Sequence, residues 1–181
     1  PIVIRLNGSD TYFCNLEQRR VKWKNKFHEK RALVKADALL SVSQFAADQT
    51  NVVFGLHKKF TIIPNSIDVS IFDQNENRTF VSNTVLYFGS VIRKKGLAEL
   101  PLIFNKLVEL NPAAQLIIVG KDVPDVISCS TSTWEMMQEL FTEEALLQVS
   151  YIGSVPYSEI QTHINAATVC IFPSFAEALP V

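Results

Sequence analysis

The chain has 181 residues, 48% of them hydrophobic and 19% charged, which is enough to bury a core and excludes a disordered or polyelectrolyte segment. Lys plus Arg number 17 against 18 for Asp plus Glu, a formal net charge of −1, which argues against a general nucleic-acid binder. Cys14, Cys129 and Cys170 are odd in number and far apart, so they suggest neither a disulfide framework nor a zinc site, and a reducing, cytoplasmic setting is their simplest reading.

The apolar stretches are strand-length, so no membrane-spanning helix is expected, and no basic region with a long apolar run opens the chain as a secretory signal would. The chain runs from Pro1 straight into Ile2-Val-Ile-Arg-Leu6 and stops within Phe172-Pro-Ser-Phe-Ala-Glu-Ala-Leu-Pro-Val181. Ends of that kind are expected of a piece cut from a longer protein.

In chain order, apolar runs bounded by turn residues predict strands at 2–6, 38–43, 60–63, 84–89, 115–119, 149–152 and 168–172. Between the first two lie Arg19, Arg20, Lys22, Lys24, Lys26, Lys30, Arg31 and Lys35, against the single acid Glu29. Trp23, Phe27 and Leu33 interleave at near-helical spacing, which predicts a basic amphipathic helix. Two readings of residues 19–35 stay open: a solvated face over a core stripe, or a docking face for an anionic membrane surface.

Asp73-Gln-Asn-Glu-Asn-Arg-Thr79 is the one sustained polar, breaker-rich run and is expected to link two α/β units. Residues 97–110 place Leu97, Leu100, Ile103, Phe104, Leu107, Val108 and Leu110 on one helical face. Ser132 with Glu135 reads as a capping box opening a helix through Leu147, and Ser158 with Gln161 repeats the signature. Strand alternating with helix implies parallel strands and crossover helices, hence an α/β layered sheet.

Glycines are few, and Gly89, Gly120 and Gly153 each directly follow an apolar run. They are expected at the carboxyl ends of parallel strands, the edge where open α/β sheets bind ligands. Gly89-Ser-Val-Ile-Arg-Lys-Lys-Gly96 joins a strand to the helix expected near Leu97, so Lys94 and Lys95 should sit before a helix N-terminus, a setting suited to a phosphate or diphosphate. No Gly-Lys-Ser/Thr closes the loop, and no Gly-x-Gly-x-x-Gly, Gly-x-Ser-x-Gly or His-Glu-x-x-His occurs. His28, His57 and His163 lack metal-ligand spacing, Cys170 reads as a small core residue, and Trp134, Met136 and Met137 read as packing.

Four segments in order carry a family resemblance: Pro64-Asn-Ser-Ile-Asp68, Phe88-Gly-Ser-Val-Ile-Arg-Lys-Lys-Gly96, Tyr151-Ile-Gly-Ser-Val155 and Pro173-Ser-Phe-Ala-Glu-Ala-Leu-Pro180. Arg5-Leu-Asn-Gly-Ser9 and Lys35-Ala-Asp-Ala-Leu-Leu-Ser-Val-Ser43 also fit, so the likeness spans nearly the whole chain. The set resembles the family-4 glycosyltransferases of GT-B architecture. The resemblance implies two Rossmann-like, doubly wound parallel-sheet domains, both incomplete here: the later part of the acceptor-side domain at 1–72, a linker at 73–83, and a donor-binding domain at 84–181.

It also implies roles. Lys95 would contact the donor diphosphate and Glu177 the donor sugar hydroxyls, the two being the catalytic candidates. Gly89, Ser90, Arg93, Lys94 and Gly120 would line the donor cleft, Gly153 to Val155 the base, and Ala178 and Leu179 the sugar and phosphate. Ser90 stands where the family commonly has an arginine, which leaves a second positive charge to Arg93 or Lys94. Asn7, on the acceptor side, stands where many members carry a histidine. The signature's second glutamate would fall beyond Val181, so this chain alone is expected to be inactive.

The implied reaction is a retaining transfer from a UDP- or GDP-linked sugar, with neither metal nor cofactor, to a glycan or lipid-linked acceptor in cell-surface polysaccharide synthesis. The expected location is cytoplasmic, peripheral to the membrane through residues 19–35. A non-catalytic nucleotide-sugar-binding module and a sugar-nucleotide epimerase of the same architecture remain alternatives at this point.

Overall fold

The structure, a computed structural model, describes residues 1–16, 19–68, 80–175 and 177. They form two compact units, one of Pro1–Ile67 together with Glu177 and one of Asp68–Ala176. The expected linker at 73–83 lies outside the described residues over 73–79.

The first unit is a parallel sheet of β1 (Val3–Leu6), β2 (Ala38–Ser41) and β3 (Thr61–Ile62), in that order, with α1 (Asp10–Leu16), α2 (Trp23–Lys35) and α3 (Gln44–Phe54). Local chemistry sets the bounds of α3. The Ser43 hydroxyl accepts the Ala46 N–H at 3.2 Å, and left-handed Gly55 ends the helix with its N–H on the last carbonyls. Leu6, Leu33, Leu39 and Phe54 form the core, each such buried side chain contributing roughly 1.5–3 kcal/mol. The predicted basic helix begins only at Trp23, with no side-chain cap at Lys22.

The second unit is a parallel sheet of β4 (Thr84–Phe88), β5 (Gln115–Val119), β6 (Val149–Gly153) and β7 (Val169–Cys170), ordered β6-β5-β4-β7. Period-2 alternation within β4 and β5 puts helices on both faces. Val85, Tyr87, Leu116 and Ile118 pack with Leu100 and Phe104 of α4 (Leu100–Leu110), Met137 of α5 (Thr133–Gln138) and Ala145 of α6 (Glu143–Leu146). Leu86 and Val119 pack on the opposite side with Ile160 of α7 (Ile160–Ala166) and Ala167. The chain steps outward from β4 to β5 and β6, then returns to place β7 on the far side of β4. That reversal opens a crevice at the carboxyl ends of the strands.

Several expectations are corrected. Leu97–Glu99 form a turn and the helix starts at Leu100, with Ile103 and Leu110 exposed rather than in the buried face. Ser132 does accept the Glu135 N–H, but the helix stops at Gln138 and a second begins at Glu143. Asn105 of α4 causes the break: its side chain donates to Leu140 O at 2.9 Å and accepts Thr142 N–H at 3.0 Å. Ser158 caps no helix, because Tyr157–Glu159 is a 3-10 turn and α7 starts uncapped at Ile160. Cys170 is half-buried and packs against the cluster of Leu86, Val119, Ile160 and Ala167. Trp134, Met136 and Met137 pack as expected. Among the described residues no helix is long and apolar enough to cross a membrane.

Candidate functional site

Three strand ends of the second unit are stitched into one edge. Gly89 N–H donates to Val119 O at 2.9 Å, and Gly120 N–H to Gly153 O at 2.8 Å. A Cβ at Gly120 would stand 1.8 Å from the Gly89 carbonyl oxygen. Glycine is therefore required at 120 by the approach of two protein backbones. Two tyrosines brace the edge: Tyr87 donates its hydroxyl to Ser90 O and Tyr151 to Gly120 O, each at 2.9 Å. Burial, with the Asp122 carboxylate nearby, pushes the Tyr151 phenol up.

From this edge the basic loop departs. Val91 pairs with the 121–123 segment, its N–H donating to Lys121 O and its carbonyl accepting Val123 N–H. Arg93–Lys95 form a 3-10 turn closed by Gly96 at φ 76°. A Cβ at Gly96 would lie 2.0 Å from Pro173 O. Phe175 N–H donates to Lys94 O at 3.4 Å, and the Phe172 ring stands edge-on to Phe88 at 4.9 Å. The loop bearing both lysines is thus seated against residues 172–175, the exit of the neighbouring strand β7. Gly96→Ala is expected to destabilise the second unit by at least about 1–3 kcal/mol, since both the φ and the backbone contact oppose it. Thermal unfolding checks this, and an unchanged midpoint would remove the seat from the account.

Lys94 and Lys95 precede the turn that leads into α4, where Glu99 and Leu100 N–H both donate to Gly96 O and Pro101 has no N–H.

Arg93 is committed elsewhere. Its Nε and Nη2 donate to the two oxygens of Asp125 at 2.9 and 2.5 Å, a bidentate pair. Asp125, 3% exposed, also accepts the Ser128 N–H at 3.0 Å and the Ser128 hydroxyl. The Arg93 hydrogen bonds hold the Asp125 carboxyl well below the usual carboxylate range, and the carboxylate raises the Arg93 guanidinium. Of the two cations left open for the second charge, the structure spends Arg93 on this pair. Sequence reasoning missed Asp125, because an Asp three residues before a Ser is common in any loop.

Other predicted residues fall as follows. Ser90 is exposed at the edge beside Gly89. Val155 is half-buried and packs against the cluster of Leu86, Val119, Ile160 and Ala167. Asn7 is exposed just past β1, at the carboxyl edge of the first unit's sheet. Nearby within that unit, Arg5 Nη2 donates to Asn65 Oδ1 at 2.7 Å, joining two of the sequence motifs. Glu177 is half-buried and groups with the first unit, not with residues 84–175 as expected. Ala178 and Leu179 lie outside the described residues. Among the described residues, no three His, Cys, Asp or Glu side chains cluster as metal ligands would.

Parallel sheets flanked by helices, with a glycine-rich, lysine-bearing carboxyl edge, define an α/β Rossmann-like protein of the GT-B kind. The chain belongs to the family of glycosyl transferases group 1, whose model matches residues 70–181, and residues 1–71 match the model of Glycosyltransferase Family 4. A curated relative is Bacillus subtilis (strain 168) TuaC, provisionally named a teichuronic acid biosynthesis glycosyltransferase, 25% identical over 190 residues. The match takes in 99% of this chain and 42% of that protein. Among solved structures, TarM matches with a TM-score of 0.67 at 14% identity, over 97% of this chain and 32% of TarM. The lipopolysaccharide outer core galactosyltransferase WaaB matches with a TM-score of 0.57 at 18% identity, over 99% of this chain and 52% of WaaB.

Proposed function

We propose that the second unit binds the donor of a nucleotide-sugar-dependent glycosyltransferase, with Lys95 and Lys94 on the diphosphate. The observation that carries this is the seating of the lysine loop against residues 172–175, at the carboxyl edge where the strand order reverses about β4. In the reaction the bond from the sugar's anomeric carbon to the diphosphate oxygen breaks. A bond from that carbon to an acceptor hydroxyl oxygen forms, and the hydroxyl proton passes to an oxygen of the departing diphosphate. Negative charge grows on the departing diphosphate, and cations held in place before the reaction stabilise it without reorganisation. The chemistry asks for no redox step and no group-carrying cofactor.

A UDP- or GDP-linked sugar is the donor, transferred with retention, and a glycan or lipid-linked acceptor of a cell-surface polysaccharide receives it. Support for the acceptor class is the name of the B. subtilis relative. UDP is the first nucleotide to test, since it is named in the complex of an S. aureus TarM variant with Fondaparinux and alpha-GlcNAc-glycerol. Calorimetric titration of the chain with UDP and GDP should show binding of one of them, lost when Lys94 and Lys95 are both changed to Ala. Failure of both nucleotides to bind would overturn the proposal.

Glu177 is assigned to the donor sugar hydroxyls on its place in the signature. Glu177→Gln is expected to lower transfer by about 10–100-fold while leaving nucleoside diphosphate affinity within about twofold. An equal loss of diphosphate affinity in the same titration would show that the role is wrong.

A further inference from the structure

The outward face of α2 has no counterpart in the donor reading and does not depend on it. At ~100° per residue, Trp23, Phe27, Lys30 and Val34 fall within roughly 60° of one another along a helix about 20 Å long. Trp23 is 73% exposed, Phe27 52% and Val34 48%, so this line of large apolar side chains faces solvent. The helix meets its own core through Leu33 on another side. The exposed apolar line is therefore separate from the side that the helix buries.

Cations flank the outer stripe. Lys26 and Lys30 lie along one border, Arg31, Lys24 and Lys35 along the other, and Lys24 Nζ sits 5.7 Å from the centre of the Trp23 ring. Among the described residues none of Lys22, Lys26, Lys30, Arg31 and Lys35 makes an ion pair. The helix's one acid is turned away: Glu29 accepts the N–H groups of Asp10 and Thr11 and the Thr11 hydroxyl, closing the start of α1. Lys58 Nζ donates to Val34 O at 3.2 Å, which sets further positive charge at the helix's end.

We propose that this face of α2 docks on an anionic lipid bilayer, with Trp23, Phe27 and Val34 entering the interface and the flanking lysines and arginine meeting lipid phosphates. Charge complementarity selects an anionic occupant, and the apolar line selects a bilayer over a nucleic acid. Exposed Trp, Phe and Val gain by leaving water at a lipid interface and gain little beside a hydrated polyanion. Each cation near an anionic surface changes the partition by roughly fivefold, and salt screens that contribution beyond a Debye length.

The test is co-sedimentation of the chain with vesicles of phosphatidylcholine alone and of phosphatidylcholine with phosphatidylglycerol, at low and high salt. Binding is expected to the mixed vesicles at low salt only. Lys26→Gln, Lys30→Gln and Arg31→Gln together should weaken it by about a hundredfold. Trp23→Ala with Phe27→Ala should also weaken it, about tenfold or more. These exposed changes should leave the thermal unfolding midpoint in place. Tryptophan emission should shift to the blue on binding, and that shift should vanish in Trp23→Phe. Absence of binding, equal binding to neutral vesicles, or indifference to the charge changes would overturn the proposal. Loss with the charge changes but not with the aromatic ones would also overturn it, in favour of a soluble polyanion as the occupant.

Discussion

Lys95→Ala is expected to lower sugar transfer by the naturally expressed protein by two to three orders of magnitude, about 3–4 kcal/mol of transition-state stabilisation. The loop is held by backbone: Gly96 N–H on Arg93 O, Val91 paired to Lys121 and Val123, and Phe175 N–H on Lys94 O. None of these bonds uses the Lys95 side chain, so the substitution should leave them in place. A preorganised cation is then removed from a site that keeps its shape. Initial rates at saturating and limiting donor separate the contributions. The effect should fall more on kcat than on KM, because charge on the diphosphate grows as the bond to the sugar breaks. Rates within about threefold of the parent would exclude Lys95 from the diphosphate.

Asp125→Asn should destabilise the second unit by about 3–5 kcal/mol. Asp125 is 3% exposed and receives four hydrogen bonds, two from Arg93 and two from Ser128. Asparagine keeps the shape but loses the charge, turns a donating amide toward the guanidinium, and leaves Arg93 without its counter-ion. The pH dependence follows from the sign of the shift. The Asp125 carboxyl is lowered in the folded state, so its contribution is complete above the unfolded carboxylate value of about 4 and is lost as pH falls below it. The gap in stability between parent and variant should therefore be widest near neutral pH and close in acid. Denaturant titrations across that range check it, and a gap that stays constant would show that the carboxylate's charge contributes nothing. Because Arg93 sits on the lysine loop, transfer should also fall about tenfold, with more loss of donor affinity than of kcat.

The strands were legible because a parallel sheet covered on both faces demands continuous apolar runs, and Val-Leu-Tyr-Phe before Gly89 and Leu-Ile-Ile-Val before Gly120 are such runs. A helix start was legible where a side chain caps its own backbone, as at Ser132. The end of α5 was not, because Asn105, far away in sequence, ties down the break at 140–142. The lysine pair could be located from its loop, and the glycines from their places after strands. Why glycine is needed at 96 and 120 could not be read, since the obstructing atoms are Pro173 O and Gly89 O on distant segments.

The sequence by itself determined the α/β class, the positions of the strands, the placement of Lys94 and Lys95 in a strand-to-helix loop, and the basic character of residues 19–35. Each depends on local composition or on a period of two or 3.6, which neighbouring residues carry. Only the tertiary structure decided that Arg93 belongs to Asp125, that Val155 packs against the Leu86 cluster, that the lysine loop rests on residues 172–175, and that Glu29 turns inward while Trp23 and Phe27 turn out. The physical reason is common to all four. A side chain's charge or apolar surface is available for binding only after the fold has matched it with partners, and Arg93 and Asp125, 32 residues apart, meet only in three dimensions.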